Sequence, residues 1–194
     1  MPLLTTQSAK GYGFSALTAA EGDFEWIATG TTNTSSPSIT FSSIPQTYKH
    51  LQIRGIGNAS YGSNDYGALG IRFNSDTGTN YTRHGFRSNL GQSTPSHIAL
   101  TGTTFASPTE GVFLNSTASD WMGTNVIDIL DYTATDKYKT ARGISGVVWT
   151  SSSGMVMFGA GMWKNTAAVT SITVYQQNAN WGTGTSFALY GLKG

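Results

Sequence analysis

The chain of 194 residues contains no cysteine, and this absence excludes disulfide bonds, zinc–thiolate sites and cysteine nucleophiles. Charged residues make up only 11% of the chain, against about 25% in a typical globular protein. The formal net charge is +1, and the Lys and Arg residues are scattered along the chain. A nucleic-acid-binding protein needs clustered basic residues, so we expect no nucleic-acid partner.

Long apolar runs are lacking as well. No run reaches the roughly 18 residues that a membrane span requires, so we expect no membrane partner. The first ten residues lack the basic leader and the apolar core of a signal peptide. We therefore expect a protein that is made in a cytoplasm and that leaves the cell, if it does, by another route such as lysis.

Turn-forming and strand-forming residues take the place of helix formers. Glycine contributes 24 residues, Ser and Thr are abundant, and aromatic residues make up 12% of the chain. The segment His50–Ile56 alternates apolar and polar residues, which predicts a strand with Leu51 and Ile53 towards a core and Gln52 and Arg54 towards water.

Similar short segments recur between turn clusters from Phe24 to the C-terminus. The predicted strands are residues 24–30, 38–42, 50–56, 68–73, 81–86, 126–130, 138–149, 155–163, 171–175 and 186–192. Region 87–120 is polar and is predicted to be a long loop with one strand, near Ile98–Leu100 or near Gly111–Leu114. This pattern, without helical crossovers, predicts a single antiparallel two-sheet β-sandwich of jelly-roll type over residues 24–194.

The apolar residues of segment 1–23 show no sustained periodic pattern. We interpret the segment as an extended N-terminal arm that anchors the protein to something else, with Tyr12 and Phe14 as its aromatic contacts. The alternative is that this segment forms a first edge strand of the domain.

No constellation of residues carries a recognisable chemistry. A glycosidase needs two carboxylates about 5–10 Å apart, but Asp128 alternates with isoleucines and should face solvent, while Asp131 stands at a strand end. The three histidines lack metal-ligand spacing, and no nucleophile elbow is present. The segment Asn74–Gly78 resembles the start of a calcium loop without its acidic end, so a plain turn is favoured. We predict no catalytic residue, no metal and no cofactor.

Aromatic side chains in or beside Gly-, Asn-, Ser- and Thr-rich loops are the candidate contact residues. They are Tyr61, Tyr66, Tyr81, Trp121 and Trp181. Such rings stack on sugars, and they are also enriched in protein interfaces. The alternative is that they close the ends of the sandwich over its core.

Several segments together resemble one family. They are residues 39–55, 72–81, 126–132, 163–173 and 187–194. As a set and in this order, they resemble small virion structural proteins of tailed phages, above all phages of cyanobacteria and marine bacteria. The resemblance implies a non-enzymatic, β-rich particle component and supplies no catalytic residue. Residues 1–23 and 87–120 match least.

We therefore expect a structural virion protein, displayed on the particle surface as a homo-oligomer, with a trimer as the expected state. It would decorate the capsid or belong to a tail or fibre, and its partners would be copies of itself and other virion proteins. The alternative is a receptor- or glycan-binding module of a tail fibre that mediates host adsorption. A polysaccharide-degrading enzyme is a third hypothesis, for which Asp128 or Asp131 would have to be essential.

Overall fold

The computed structural model describes residues 22–32, 36–60, 65–89, 96–114, 121–150, 153–176 and 179–194, and in this part of the chain all regular secondary structure is β-strand. The all-β prediction is therefore confirmed. Thirteen strands are present in these residues: β1 Phe24–Thr31, β2 Ser38–Phe41, β3 His50–Ser60, β4 Asp65–Phe73, β5 Tyr81–Asn89, β6 Ser96–Thr103, β7 Ala106–Leu114, β8 Gly123–Leu130, β9 Lys139–Thr150, β10 Ser153–Trp163, β11 Ile172–Gln176, β12 Asn180–Trp181 and β13 Ser186–Leu192.

The strands form two layers. The large sheet has the order β1-β13-β3-β8-β9-β10-β5-β6, and the small sheet has the order β2-β11-β4-β7. Within these described strands all pairs are antiparallel, except for a short parallel contact between β3 and β7 at Asn58 and Ala59. The last residues of β3 also pair with β12, so β3 joins the two sheets.

The core lies between the two sheets, as in an antiparallel β-sandwich. Leu51 and Ile53 of β3 are fully buried, together with Ile127 of β8 from the large sheet and Ile71 of β4 from the small sheet. Their burial confirms the prediction that Leu51 and Ile53 point into the core. Alternate residues of a strand point to opposite faces, so the residues between and beside them point away from it. The jelly-roll connectivity remains a prediction.

Strand β7 packs directly onto the large sheet, across β9 and β10. A Cβ atom on Gly161 would lie 2.6 Å from Cβ of Ala106, and one on Gly159 would lie 2.9 Å from the Pro108 carbonyl oxygen. Glycine at these two positions therefore lets the backbone of β7 approach the sheet closely.

The region 87–120 is the main difference from the predicted organisation. Both candidate segments are strands: Ile98–Leu100 lies in β6, and Gly111–Leu114 lies in β7. The prediction of one strand in a long loop was wrong. Residues 106–109 of β7 are all buried, because one side faces the core while the other side is covered as well. A strand buried in this way shows no alternation.

Two predictions about the N-terminal segment fall outside the described residues. Tyr12 and Phe14 are among residues 1–21, so the predicted arm and its anchor contacts remain predictions. The described chain begins at Gly22, and Lys193 donates its backbone N–H to the Asp23 carbonyl over 2.9 Å.

Candidate interaction surface

The outer face of the large sheet, the face turned away from the small sheet, is apolar over several strands. Phe86 of β5, Val156 and Phe158 of β10, and Ile144 and Val148 of β9 are between 49% and 66% exposed. An exposed sheet face normally carries polar residues, which give the strand an alternating pattern. This face therefore exposes apolar area that the fold of the described chain leaves uncovered.

These side chains are contiguous because the strand register places them in neighbouring rows. Val126 of β8 pairs with Ile144, Ile144 pairs with Phe158, and Phe158 pairs with Phe86. The rings of Phe86 and Phe158 are 5.9 Å apart between centroids. We name as the outer apolar patch this set: Ile56, Phe86, Val126, Ile144, Val148, Val156 and Phe158.

A shallow depression of about 310 Å³ lies within the outer apolar patch. Gly146, which has no side chain, lines it together with Val126, Ile144 and Val156 among others. The depression is open and apolar, so it suits a protruding apolar side chain of a partner better than a polar small molecule.

A polar band borders the patch on the same face. The Gln52 side-chain amide donates to Oδ1 of Asp128 over 2.7 Å, and Nε of Arg142 donates to Oδ2 over 3.2 Å. Nε of Arg54 donates to Oε1 of Gln52 over 2.6 Å. The band therefore carries both signs of charge, and Asp128 faces outwards as the alternation predicted.

Aromatic rings continue the face to its β1 edge. Phe24 and Tyr190 stack with centroids 4.6 Å apart, and the Arg54 guanidinium lies 4.8 Å from the Phe24 centroid. Trp26, 64% exposed, is the register partner of Tyr190. Exposed aromatic and Arg side chains are typical of interface hot spots, so this edge extends the candidate interaction surface.

The structure separates the aromatic residues that the loop composition grouped together. Tyr81 and Trp181 are fully buried, whereas Trp121 is 38% exposed. Tyr66 lies within the bounds of β4, and Tyr61 lies outside the described residues.

Burial corrects the contact prediction for Tyr81 and Trp181. The Tyr81 hydroxyl donates to the Asp76 carbonyl and accepts from the Phe73 N–H, each over 3.1 Å, and burial raises the pKa of Tyr81 to about 12. Trp181 packs against Phe187 with centroids 5.3 Å apart. Both rings close the core, which was the alternative, and neither is available to a ligand.

Trp121 remains as a described, exposed candidate. The strand pairing brings the last residues of β3, β5 and β9 next to the first residues of β8 and β10. All five therefore meet at one end of the sandwich. Trp121 stands two residues before β8, so it lies near this end.

The two carboxylates that were weighed for catalysis, Asp128 and Asp131, both stand in ion pairs. Asp131 pairs with Lys49 at 3.1 Å and with Lys137 at 3.4 Å, and its backbone N–H donates to Nδ1 of His50 over 3.0 Å. The hydrogen bond from Lys49 is the main cause that lowers the pKa of Asp131. Among the described residues, no group of three or more His, Asp and Glu side chains could hold a metal ion.

The sequence reasoning missed the outer apolar patch, although one signal for it was present. In β10, Met155, Met157 and Trp163 point inwards, while Val156 and Phe158 point outwards. Apolar residues in both phases of the alternation indicate a strand covered on both faces. Only the structure shows that nothing in the described chain covers the outer face of β10.

Fold and surface together define the class of this molecule: an all-β sandwich with an exposed apolar sheet face. No family model matches the chain, and neither a curated protein nor a solved structure matches it. The described residues include no helix that is long and apolar enough to cross a membrane.

Proposed function

We propose that this protein is a non-enzymatic structural component of a tailed-phage virion, displayed on the particle surface as a homo-oligomer. It decorates the capsid or forms part of a tail or fibre, and it binds copies of itself and other virion proteins. The resemblance of its sequence segments to small phage structural proteins supports this proposal. The expected oligomer is a trimer.

The observation that carries the proposal is the outer apolar patch on a sheet of eight strands. Contiguous exposed apolar patches are features of protein–protein contact surfaces. The low charge of the chain, 11% of its residues, also favours close packing, because few charges must lose their water.

The experiment is to purify particles of the phage that encodes the chain and to locate the chain in them. Expected are a fixed copy number per particle by quantitative mass spectrometry and density for the sandwich in a reconstructed particle. If the chain occurs in the infected cell but not in particles washed of soluble protein, the proposal is wrong.

The N-terminal arm gives a second test. Removing residues 1–21 retains Asp23, whose carbonyl accepts from Lys193 in the fold. The truncated protein should keep its β-type circular dichroism spectrum and lose attachment to particles that lack the native chain. Unchanged attachment would refute the anchor.

A second function, binding of a host receptor or glycan, is favoured by one observation. Trp121 is 38% exposed near the end of the sandwich at which β8 begins, and an exposed indole can stack on a sugar ring. A host-cell adsorption assay or a glycan array with Trp121→Ala tests it. Loss of binding with retained assembly would favour this function, and intact binding would count against it.

A further inference from the structure

We infer that the outer apolar patch is the surface through which one copy of this chain binds a second copy. The inference rests on the proposed homo-oligomer and names one face that joins its copies; a face that pairs with itself links copies two by two, so a trimer would need a further contact outside this patch. Its first support is the exposure of Val148, Val156 and Phe86, each more than half exposed on one continuous face. Apolar area left in water is unfavourable by about 25 cal/mol per Å², so an occupant stabilises the assembly.

The size of the face suits an oligomer contact. Eight strands at about 4.8 Å and roughly eight residues at about 3.3 Å give the outer face a projected area of roughly 1,000 Å². A stable interface buries about 800 Å² on each partner. The outer apolar patch forms part of this face, and the face as a whole is large enough for a stable contact.

The charges on the face favour a copy of the same chain over a membrane surface or a nucleic acid. Arg54 and Arg142 lie on either side of Asp128, to which Arg142 is hydrogen-bonded. A face that carries both signs is complementary to itself when two copies meet in opposite orientations. The net charge of +1 adds no appreciable repulsion between copies. A polyanionic partner would need a cluster of basic residues, whereas the two arginines named here flank one carboxylate, and Arg142 is paired with it.

The shape of the face leads to the same conclusion. The depression near Gly146 lies beside Val156 and Ile144, and the paired rings of Phe86 and Phe158 stand a few residues away. A protruding pair of rings and an adjoining apolar hollow on one surface allow a second copy to fill the hollow of the first. Packing of this kind between two sheets requires a separation of about 10 Å.

The test measures the mass of the full-length protein in solution by sedimentation velocity. We expect a mass of two or more chains of 20.6 kDa. The double variant Val156→Lys and Phe158→Lys should shift the mass to that of one chain and weaken association at least a hundredfold. The matched control is Tyr138→Lys, which changes a side chain of similar exposure, 53%, in the turn before β9. It should leave the oligomer intact.

A second measurement keeps the inference testable if the charged variant fails to fold. Because the chain contains no cysteine, a single Val156→Cys thiol can be labelled with a maleimide without background. In the oligomer this thiol should react at least tenfold more slowly than the thiol of Tyr138→Cys, and dilution should remove the difference.

Three results would overturn the inference. The first is an oligomer that the lysine pair leaves intact. The second is a monomer with a reactive Val156→Cys thiol, which would leave the patch to a different protein. The third is a monomer whose thiol is protected until residues 1–21 are removed, which would assign the patch to the chain's own N-terminal segment. Particle content decides the virion role separately, so either proposal can fail alone.

Discussion

Trp163 donates its indole N–H to Oδ2 of Asp76 over 2.7 Å, and this bond joins the end of β10 to the turn after β4. The same carboxylate accepts from the Asn80 side-chain amide and from the Gly78 N–H, each over 2.8 Å. Three donors on one carboxylate favour its ionised form. The segment that resembled the start of a calcium loop is therefore a turn whose carboxylate accepts three hydrogen bonds from the protein itself.

The ionised Asp76 should make the stability of the fold sensitive to acid. The hydrogen bonds from Asn80, Gly78 and Trp163 lower the pKa of Asp76, although burial opposes them. Its contribution is therefore complete above the unfolded pKa of about 3.9 and is lost as the pH falls towards the lower folded pKa. We expect the free energy of unfolding, measured by urea denaturation at successive pH values, to fall below about pH 4.

The Asp76→Asn variant isolates this contribution from those of other carboxylates. It should be less stable than the wild type at pH 7, and the difference between the two proteins should shrink as the pH falls below about 4. Asp136→Asn, at an exposed position in the turn before β9, serves as the control and should follow the wild type. A constant difference between Asp76→Asn and the wild type at all pH values would contradict the assignment.

Lys139 should be essential for the stability of the turn between β8 and β9. Its side chain is fully buried, and Nζ donates to the carbonyls of Ala134, Lys137 and Thr166 over 2.5, 2.9 and 3.1 Å. Burial lowers the pKa of Lys139. Lys139→Met leaves three carbonyls without their donor, so we expect a loss of about 3 kcal/mol or more in the free energy of unfolding.

The control for this variant lies in the same turn. Lys137 is about half exposed and pairs with Asp131 at the surface, where such pairs contribute little. Lys137→Met keeps the backbone carbonyl that accepts from Lys139 and should unfold at the same urea concentration as the wild type. Equal losses in the two variants would show that the buried ammonium has no special role.

The two tryptophans that the sequence grouped together should now behave differently. Trp181 is fully buried against Phe187, so Trp181→Ala should lower the free energy of unfolding by about 3–5 kcal/mol. Trp121 is 38% exposed, so Trp121→Ala should lower it by much less. Guanidinium denaturation followed by circular dichroism measures both. Similar losses would contradict the separation of the two residues into core and surface.

The alternation of apolar and polar residues predicted what depends on neighbours along the chain. Leu51 and Ile53 point inwards, and Asp128 points outwards, because a strand with one covered face shows a period of two. The same reasoning could not find the first part of β7, since Ser107 and Thr109 are fully buried without being apolar.

The loop aromatics and the outer face show the other limit. Tyr81 and Trp181 stand in polar surroundings along the chain, and only tertiary packing determines that their rings turn into the core. The apolar residues in both phases of β10 indicated two covered faces. The partner of the outer face, however, is not encoded in the local pattern of the strand.

Glycine at position 161 should be required for the close approach of the two sheets. A Cβ atom there would lie 2.6 Å from Cβ of Ala106 and 3.2 Å from the backbone nitrogen of Ser107. Neither atom can move without shifting β7, so Gly161→Ala should cost about 1–3 kcal/mol of the free energy of unfolding. In a chain of this size, that loss lowers the thermal midpoint by roughly 2–4 °C for each kcal/mol.

Gly146→Ala is the matched control, because it also places an alanine in a strand of the large sheet, here β9. Since Gly146 lines the depression in the outer apolar patch, both variants are compared at a protein concentration too low for association. The nearest atom to its new Cβ is Oγ1 of Thr124 at 3.9 Å, which is ordinary contact. This variant should unfold within about 1 °C of the wild type, since it adds a methyl group without overlap. If calorimetry gave both variants the same midpoint, overlap with β7 could not be the reason for the glycine at position 161. The spacing between the sheets would then depend on the buried side chains of the core.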